Sequence, residues 1–400
     1  MENRMDHQRS QDDPGLLSAQ ERSFSTWLLS KKTRAVLQSN NKVLSPLKKR
    51  LWLGGLALLI LIGGGALFIL HRTPSGHLKW SFLTGSWIIA SSPVVVDGTV
   101  YVGSSNGKVY ALDAGSGRPK WSFQTTVYVP GNGIMSSIVV ANNLIYVEGA
   151  GRLYALDRGT GRPKWSFPVA TNLDCSPVVA NGLVYVGAED GKVYALDAFS
   201  GQPKWFFQTE GTITTSPVVV GGMVYIDLAG GELYALDALS GRQRWASYSI
   251  DHLYGSPVVA NGTLYLVSFH GTLSVFDATS GRQKGSFHCR DCDNVQTSPI
   301  LSNGTAYINS FHTLYAFDAA TGQEQWSYQT GGIIFASPTA ANGMIYLGSE
   351  DGNLYALDAV SGWLKWSYQA GRSVSASPTV VGEIVYISAG DRVEALQSPG

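Results

Sequence analysis

From residue 92 onward the chain alternates short apolar runs with turn residues, and no run is long enough for an amphipathic helix. Residues 176–207 read SPVVANGLVYVGAEDGKVYALDAFSGQPKWFF. SPVVA predicts a strand that begins at Pro177, where a missing N–H is tolerated because a first strand residue need not donate to the ladder. Asn181-Gly182 supplies a two-residue turn whose positive φ suits both residues. LVYVGA is the second strand. EDG then turns into KVYALDA, which alternates by face as a third strand. A Ser-Gly turn follows, with Asp197 just before it able to accept backbone N–H groups, and QPKWFF is the fourth strand. Four antiparallel strands joined by tight turns make one propeller blade, with no helix required.

The unit recurs. Its Trp falls at Trp80, Trp121, Trp165, Trp205, Trp245, Trp326 and Trp366, with Gly285 in the remaining copy, at spacings of 40–44 residues. Ser-Pro recurs at 92, 176, 216, 256, 298, 337 and 377, with Ser137-Ile138 in the other copy. An apolar residue followed by Tyr gives a third landmark, from Tyr101 to Tyr386. Each landmark counts eight, and a fixed period near forty identifies a repeat architecture. The last copy ends without a Trp strand, while HLKWSF at 77–82 precedes the first Ser-Pro. That early strand is expected to complete the last blade and close the ring, removing two exposed sheet edges. The predicted fold is all-β, an eight-bladed propeller over residues 77–397, with the Trp filling the wedge between blades and the small Ala of YALD allowing close sheet packing.

Ahead of the repeats lies LWLGGLALLILIGGGALFIL, residues 51–70, uncharged and long enough as a helix to cross a hydrocarbon core. Seven basic residues lie in the twenty before it, and only Arg72 and Lys79 in the twenty after. The positive-inside rule then puts residues 1–50 in the cytoplasm as a polar, largely disordered tail. Residues 71–76 become a short linker, and the propeller lies outside an inner (cell) membrane. The fifty-residue leader is too long for the basic region of a cleaved signal, so an uncleaved anchor is the preferred reading. Net charge is zero overall, but residues 51–400 carry nineteen Lys/Arg against twenty-four Asp/Glu, which argues against nucleic acid as a partner of the propeller.

The pattern SPVV…VYVGS.DG.VYALDA.SGR.KW resembles the PQQ-like (quinoprotein) β-propeller repeat, over residues 77–397. WD40 repeats share the period, but this chain lacks their Gly-His and Trp-Asp pairs. The resemblance implies one of three roles: a quinoprotein dehydrogenase, the propeller lipoprotein of the outer-membrane barrel-assembly machine, or an extracytoplasmic sensor or scaffold. The dehydrogenases surround PQQ with a vicinal Cys-Cys disulfide, a Trp platform, Ca²⁺ ligands and a catalytic Asp. This chain has no Cys-Cys pair, no long insertion over the axis and no C-x-x-C-H for a haem. The expected function is therefore a membrane-anchored binding, scaffold or sensor module with no cofactor, taking a protein or small-molecule ligand on one propeller face. A PQQ- and Ca²⁺-dependent dehydrogenase is the alternative.

Candidate site residues lie where the repeat breaks. The connection from a fourth strand to the next first strand lengthens after Trp121, through QTTVYVPGNGIM, and after Gly285, through SFHCRDCDNVQT. His252, His270 and His312 fall in loops expected on one face near blades five and six, and Cys289 and Cys292 flank Asp291 there. A local Cys289–Cys292 disulfide fits an oxidising compartment. A metal site from His252, His270, His312, Cys289 and Cys292 is the competing reading; it would need four converging ligands. Cys175 reads as a buried apolar filler. Glu148, Asp174 and Asp227 depart from the strand or loop pattern, and solvation or turn capping is the expected role of each.

Overall fold

The structure is a computed structural model describing residues 60–62, 66–68 and 75–399, except 89–90, 126–132, 135, 170–174, 214, 249–251, 254, 290–291 and 296. Residues 75–399 form eight four-stranded antiparallel sheets. In blade four the strands are Val218–Val220, Met223–Asp227, Glu232–Asp237 and Gln243–Tyr248. The other seven repeat this plan. First strands of neighbouring blades approach one another right round the ring, from blade eight back to blade one, so they are innermost. His77–Leu83 pairs with Arg392–Gln397 as the fourth strand of blade eight, which closes the ring as the repeat count predicts.

The Ser-Pro landmark has a physical purpose at the inner edge. Its seryl hydroxyl accepts the backbone N–H of the matching Ser in the preceding blade. Ser137 N donates to Ser176 Oγ at 2.9 Å, Ser176 N to Ser216 Oγ at 2.8 Å, and Ser216 N to Ser256 Oγ at 3.0 Å. Ser377 N to Ser92 Oγ, at 3.2 Å, carries this link across the seam.

At the outer edge the Trp reaches the next blade. Trp205 Nε1 donates to the carbonyl of Ala238 at 3.1 Å, and Tyr185, on the same blade, donates its hydroxyl to that oxygen at 3.0 Å. Trp80, Trp121, Trp165, Trp245 and Trp326 dock in the same way on the blade that follows each. The accepting turn is held by its Asp: Asp197 Oδ1 accepts from Ser200 N and Ser200 Oγ, both at 2.8 Å, and Oδ2 lies 3.4 Å from Lys204 Nζ. These backbone and hydroxyl donors hold the Asp197 carboxyl down at about 2. Just past the Asp, Gly201 has φ of +71°, and a Cβ there would lie 2.5 Å from Trp165.

Blade five lacks the Trp, and Phe287, two residues on, covers the next blade in its stead. A Cβ on Gly322 would lie 2.0 Å from Phe287 Cδ1, whereas one on Gly285 would touch nothing. In blade seven Trp366 is fully buried against Gly76, the residue just before the closing strand.

Most of the apolar stretch 51–70, where a membrane helix is expected, lies outside the described residues. Its described residues, Ile60–Ile62 and Ala66–Phe68, pair as a two-stranded antiparallel ladder around Gly63–Gly65. Among the described residues no helix is long and apolar enough to cross a membrane. The expected tail, 1–50, and most of the expected linker, 71–76, lie outside the described residues.

Two stability predictions follow from this geometry. Gly201→Ala should cost about 3 kcal/mol or more, because backbone strain at positive φ adds to collision with an indole. Gly182→Ala, at φ +76° with open space around it, should cost only the strain, about 1–2 kcal/mol. Urea midpoints of the two variants check the difference, and equal midpoints would refute the docking account. The turn aspartates give an acid limb. Asp197, Asp277 and Asp358 have folded pKa values of about 2, below the ordinary value, so their stabilisation is complete above about pH 4 and lost as pH falls toward 2. Melting temperature should therefore drop over that window, and the drop should shrink in Asp197→Asn.

Candidate functional site

Connections between strands two and three, and between strand four and the next blade, share one face of the ring, called here the loop face. They are tied to each other by backbone bonds. Ser105 N donates to Trp87 O at 2.9 Å, Val295 N to Phe269 O at 3.0 Å, Ile334 N to Phe311 O at 2.7 Å, and Glu350 N to Ile333 O at 2.9 Å. Among the described residues, the connections leading into blades one, six and seven are thus pinned to neighbouring loops.

His252, His270 and His312 all fall on the loop face, and each engages its surroundings separately. His252 Nδ1 lies 3.0 Å from Ala229 O, His270 Nδ1 lies 3.6 Å from Asp293 Oδ1, and His312 Nδ1 lies 3.1 Å from Thr313 Oγ1. Cys289 and Cys292 are joined as a disulfide with Cα atoms 5.3 Å apart. Both are buried among Val267, Leu273, Val295 and Ile308, so the bridge is part of the packing between blades five and six. Bridged sulfurs are not thiolates, which removes both cysteines from a metal donor set. Among the described residues no three His, Cys, Asp or Glu side chains gather as a metal site. Cys175 is buried, with its Sγ 3.6 Å from Ile213 O.

Of the three acidic departures, Asp174 lies outside the described residues. Glu148 and Asp227 are buried, against the expectation of solvation or turn capping. The reason is their place two residues after the conserved-position Tyr of strand two, where the strand runs under the loop layer. Thr215 Oγ1 donates to Asp227 Oδ1 at 2.6 Å, while Oδ2 has no partner. Burial pushes the Asp227 carboxyl up to about 7, against the opposing hydrogen bond from Thr215. Blade six puts Asn309 at the same position. Thr297 Oγ1 bonds Asn309 Oδ1 at 2.6 Å, and Asn309 Nδ2 donates to Ile334 O at 3.0 Å. Sequence reasoning overlooked Glu394, which replaces the Tyr of YALD in blade eight. It is buried with its pKa raised by that burial, and it accepts from Ser81 Oγ at 3.3 Å. The signal was present as RVEALQ, one carboxyl inside an otherwise apolar repeat position.

Exposed aromatic side chains mark the loop face chemically. Trp87 is 57% exposed, and Phe311 and Phe335 are each 44% exposed. Phe311 also holds φ at +51°, a conformation that costs a bulky L-residue about 1–2 kcal/mol. Blade eight uses Gly390, at φ +59°, in the corresponding tight loop. Ala150 holds φ at +52° in the corresponding loop of blade two, so the positive φ belongs to this two-residue turn and the exposed ring is what Phe311 adds.

A family profile described as outer membrane protein assembly factor BamB matches residues 53–173, 130–328 and 295–398. No curated protein sequence matches the chain. Among solved structures, BamB from Moraxella catarrhalis is 20% identical, with a TM-score of 0.68 over 81% of this chain and 98% of that one. Quinohemoprotein alcohol dehydrogenase from Comamonas testosteroni is 17% identical, with a TM-score of 0.67 over 82% of this chain and 77% of that one. A computationally designed protein, Ika8, reaches a TM-score of 0.71 at 16% identity, over 80% of this chain and all of its own. Likeness at these identities establishes the propeller and leaves the activity open.

Asp227→Asn should stabilise the protein at neutral pH. A carboxyl with a raised folded pKa favours the folded state most below its unfolded value of 3.8. That advantage is lost as pH rises from about 4 to 7, because only the unfolded chain ionises there. Asn removes the loss and has a precedent in Asn309. The variant should gain about 3 kcal/mol at pH 7.5 and little at pH 4, read by denaturant melts at both values. Equal effects at the two pH values would show that folding does not raise the Asp227 pKa.

Proposed function

We propose, for a chain that belongs to the family of the outer membrane protein assembly factor BamB, a membrane-anchored extracytoplasmic propeller that binds a protein partner on its loop face. The observation that carries this reading is Phe311, an exposed ring held at positive φ in a loop layer that also exposes Trp87 and Phe335. Aromatic side chains presented on a rigid support are the usual anchors of protein interfaces, because burying them gains area at little conformational cost. The Cys289–Cys292 bridge supports an oxidising compartment, and the uncharged segment 51–70 supports an anchor. A scaffold or sensor role without chemistry of its own fits this arrangement.

The quinoprotein alternative draws support from the likeness in fold to quinohemoprotein alcohol dehydrogenase. Donor geometry adds nothing to it. The described disulfide is not vicinal, and the described carboxylates and imidazoles do not converge on a cation. No catalytic step is therefore derived through a quinone.

A photo-cross-linking residue at position 311 or 87 of the full chain, in cells, should capture one discrete partner protein. The same residue at Thr279, on the opposite face, should not. Phe311→Gly should leave the melting temperature equal or slightly higher, since glycine adopts φ near +51° freely, and should weaken capture by tenfold or more, as loss of an interface anchor does. If the purified full chain instead bound PQQ with Ca²⁺ and reduced a dye with an alcohol, the binding-module reading would fall. Protease digestion of the propeller only after cell lysis, with any outer layer already permeable, would overturn the outward topology.

A further inference from the structure

The face opposite the loop layer consists of the turns between strands one and two and between strands three and four. We infer that this turn face lies against an anionic lipid surface, so that the loop face points away from the membrane. The lipid tether rests on the anchor reading above, whereas the surface chemistry stands by itself.

Three observations converge. First, the four most exposed large apolar side chains among the described residues all sit in turns between strands three and four. They are Val360 at 86%, Phe199 at 84%, Trp363 at 76% and Leu239 at 70%. They fall in blades three, four and seven, on opposite sides of the ring, so a surface touching all of them meets the whole face flat. Single exposed apolar residues are ordinary on proteins. A set confined to one turn type on one face, with a Trp among them, matches the composition of membrane-interface contacts.

Second, the same turns carry Arg118, Arg162, Arg242 and Arg282, at the position that Trp363 occupies in blade seven. All four are exposed and form no ion pair among the described residues, whereas the turn Asp residues are occupied by Lys or Arg of the adjoining strand, as in Asp237–Arg244 at 2.6 Å. Their charge is thus available to lipid phosphates. Exposed acids occur on both faces, Glu189, Glu210, Glu350 and Asp293 on the loop face and Asp97 and Glu383 on the turn face, while the four arginines are confined to the turn face. Third, the closing strand starts at the turn face, while the residues just before it run beside the middle of blade seven's outer strand. Ser75 bridges to Ser367, and His77 pairs with Gln397 at the start of the closing strand. Six residues, 71–76, separate the end of the uncharged segment from that strand, a reach of roughly 20 Å at full extension. Val360 and Trp363 belong to blade seven, the blade that Ser75 touches. An anchor in the bilayer would thus hold this face next to lipid, with the apolar tips at the height of the headgroups.

Site-directed spin labelling tests the orientation on the full chain. Cys175 is buried, and Cys289 and Cys292 are bridged, so a label placed at Phe199→Cys, Val360→Cys or Glu350→Cys meets no competing reactive thiol. In vesicles of phosphatidylcholine and phosphatidylglycerol, labels at 199 and 360 should collide severalfold more with oxygen than with a water-soluble nickel chelate. The label at 350, on the loop face, should show the reverse. Converting Arg118, Arg162, Arg242 and Arg282 together to Glu should reduce the contrast. Equal nickel accessibility at all three positions, in a chain that alkaline carbonate leaves in the vesicle pellet, would overturn lipid docking while leaving the anchor intact. Shielding of 199 and 360 from both reagents, with spin–spin broadening between molecules, would assign the face to a second copy and also overturn it. A lipid contrast in a chain that carbonate strips off would sustain the docking and discard the anchor.

Discussion

The ring depends on one interaction repeated between blades, an outer-strand indole that reaches across to the next blade's last turn. Sheets radiating from an axis diverge with distance from it, so the outer gap needs the largest side chain available. An indole buried there gains from an acceptor for its N–H, which six of the seven find, while Trp366, packed on Gly76, has none. The turn provides the acceptor, since its Asp ties down the turn's own N–H groups and leaves a backbone carbonyl facing the neighbour, as Ala238 faces Trp205. Glycine completes the device, because at Gly241 any Cβ would lie 2.6 Å from the Trp205 ring. Asp, Gly and Trp, far apart in the chain, therefore act as one contact. Blade five, where Gly285 replaces the Trp, keeps the seam closed with Phe287 against Gly322.

That contact explains what was readable in the chain. Each strand predicted for residues 176–207 is present, with strand one shortened to Val178–Ala180. Closure through residues 77–82 follows from counting a missing Trp strand against a spare one. Periodicity could not reveal how a gap is repaired, so the replacement of Trp by Phe287 in blade five appears only in three dimensions. Burial of Asp227 and Glu148 was likewise hidden. An acidic residue in a strand reads as solvated unless one knows that the loops of this face fold over its end. The three imidazoles follow from topology as residents of one face, but topology sets the face and not the distance between side chains. The apolar segment 51–70 shows the opposite problem, since a helix there is a statement about a bilayer, and the described residues pair locally around Gly63–Gly65.

The same constraint divides the surface into positions that must be kept and positions that are free. In a turn such as Ala238-Leu239-Ser240-Gly241-Arg242, the carbonyl of Ala238, the Ser240 bond to Asp237 and the glycine are committed to holding the ring. Residues 239 and 242 are not. Large apolar or cationic side chains appear at those two free positions, so their presence is unrelated to blade packing. On the loop face the corresponding freedom lies at the tips between strands two and three, where Phe311 stands. A propeller built this way can carry two different surface chemistries on its two faces without disturbing its core.

Beneath the loop face seven of the eight blades are sealed in one of two ways, and blade five, with Val267 buried at this place, follows neither. In blades one, three and seven the position after strand two's Tyr-x is Gly103, Gly187 or Gly348, and the loop leading to the next blade inserts Ile134, Ile213 or Val374 into the space. A Cβ on those glycines would approach the inserted side chain to about 2.3–2.5 Å. Blades two, four, six and eight fill the place themselves with Glu148, Asp227, Asn309 and Ser388, all buried. Asn309 then bonds the carbonyl of Ile334 in the following loop, and Ser388 bonds the carbonyl of Ser91 at 3.3 Å. One mode fixes a loop by shape and the other by hydrogen bonding. Asp227 meets Thr215 with one oxygen while its buried second oxygen has no donor, so protonation as well as geometry bears on how that loop is held.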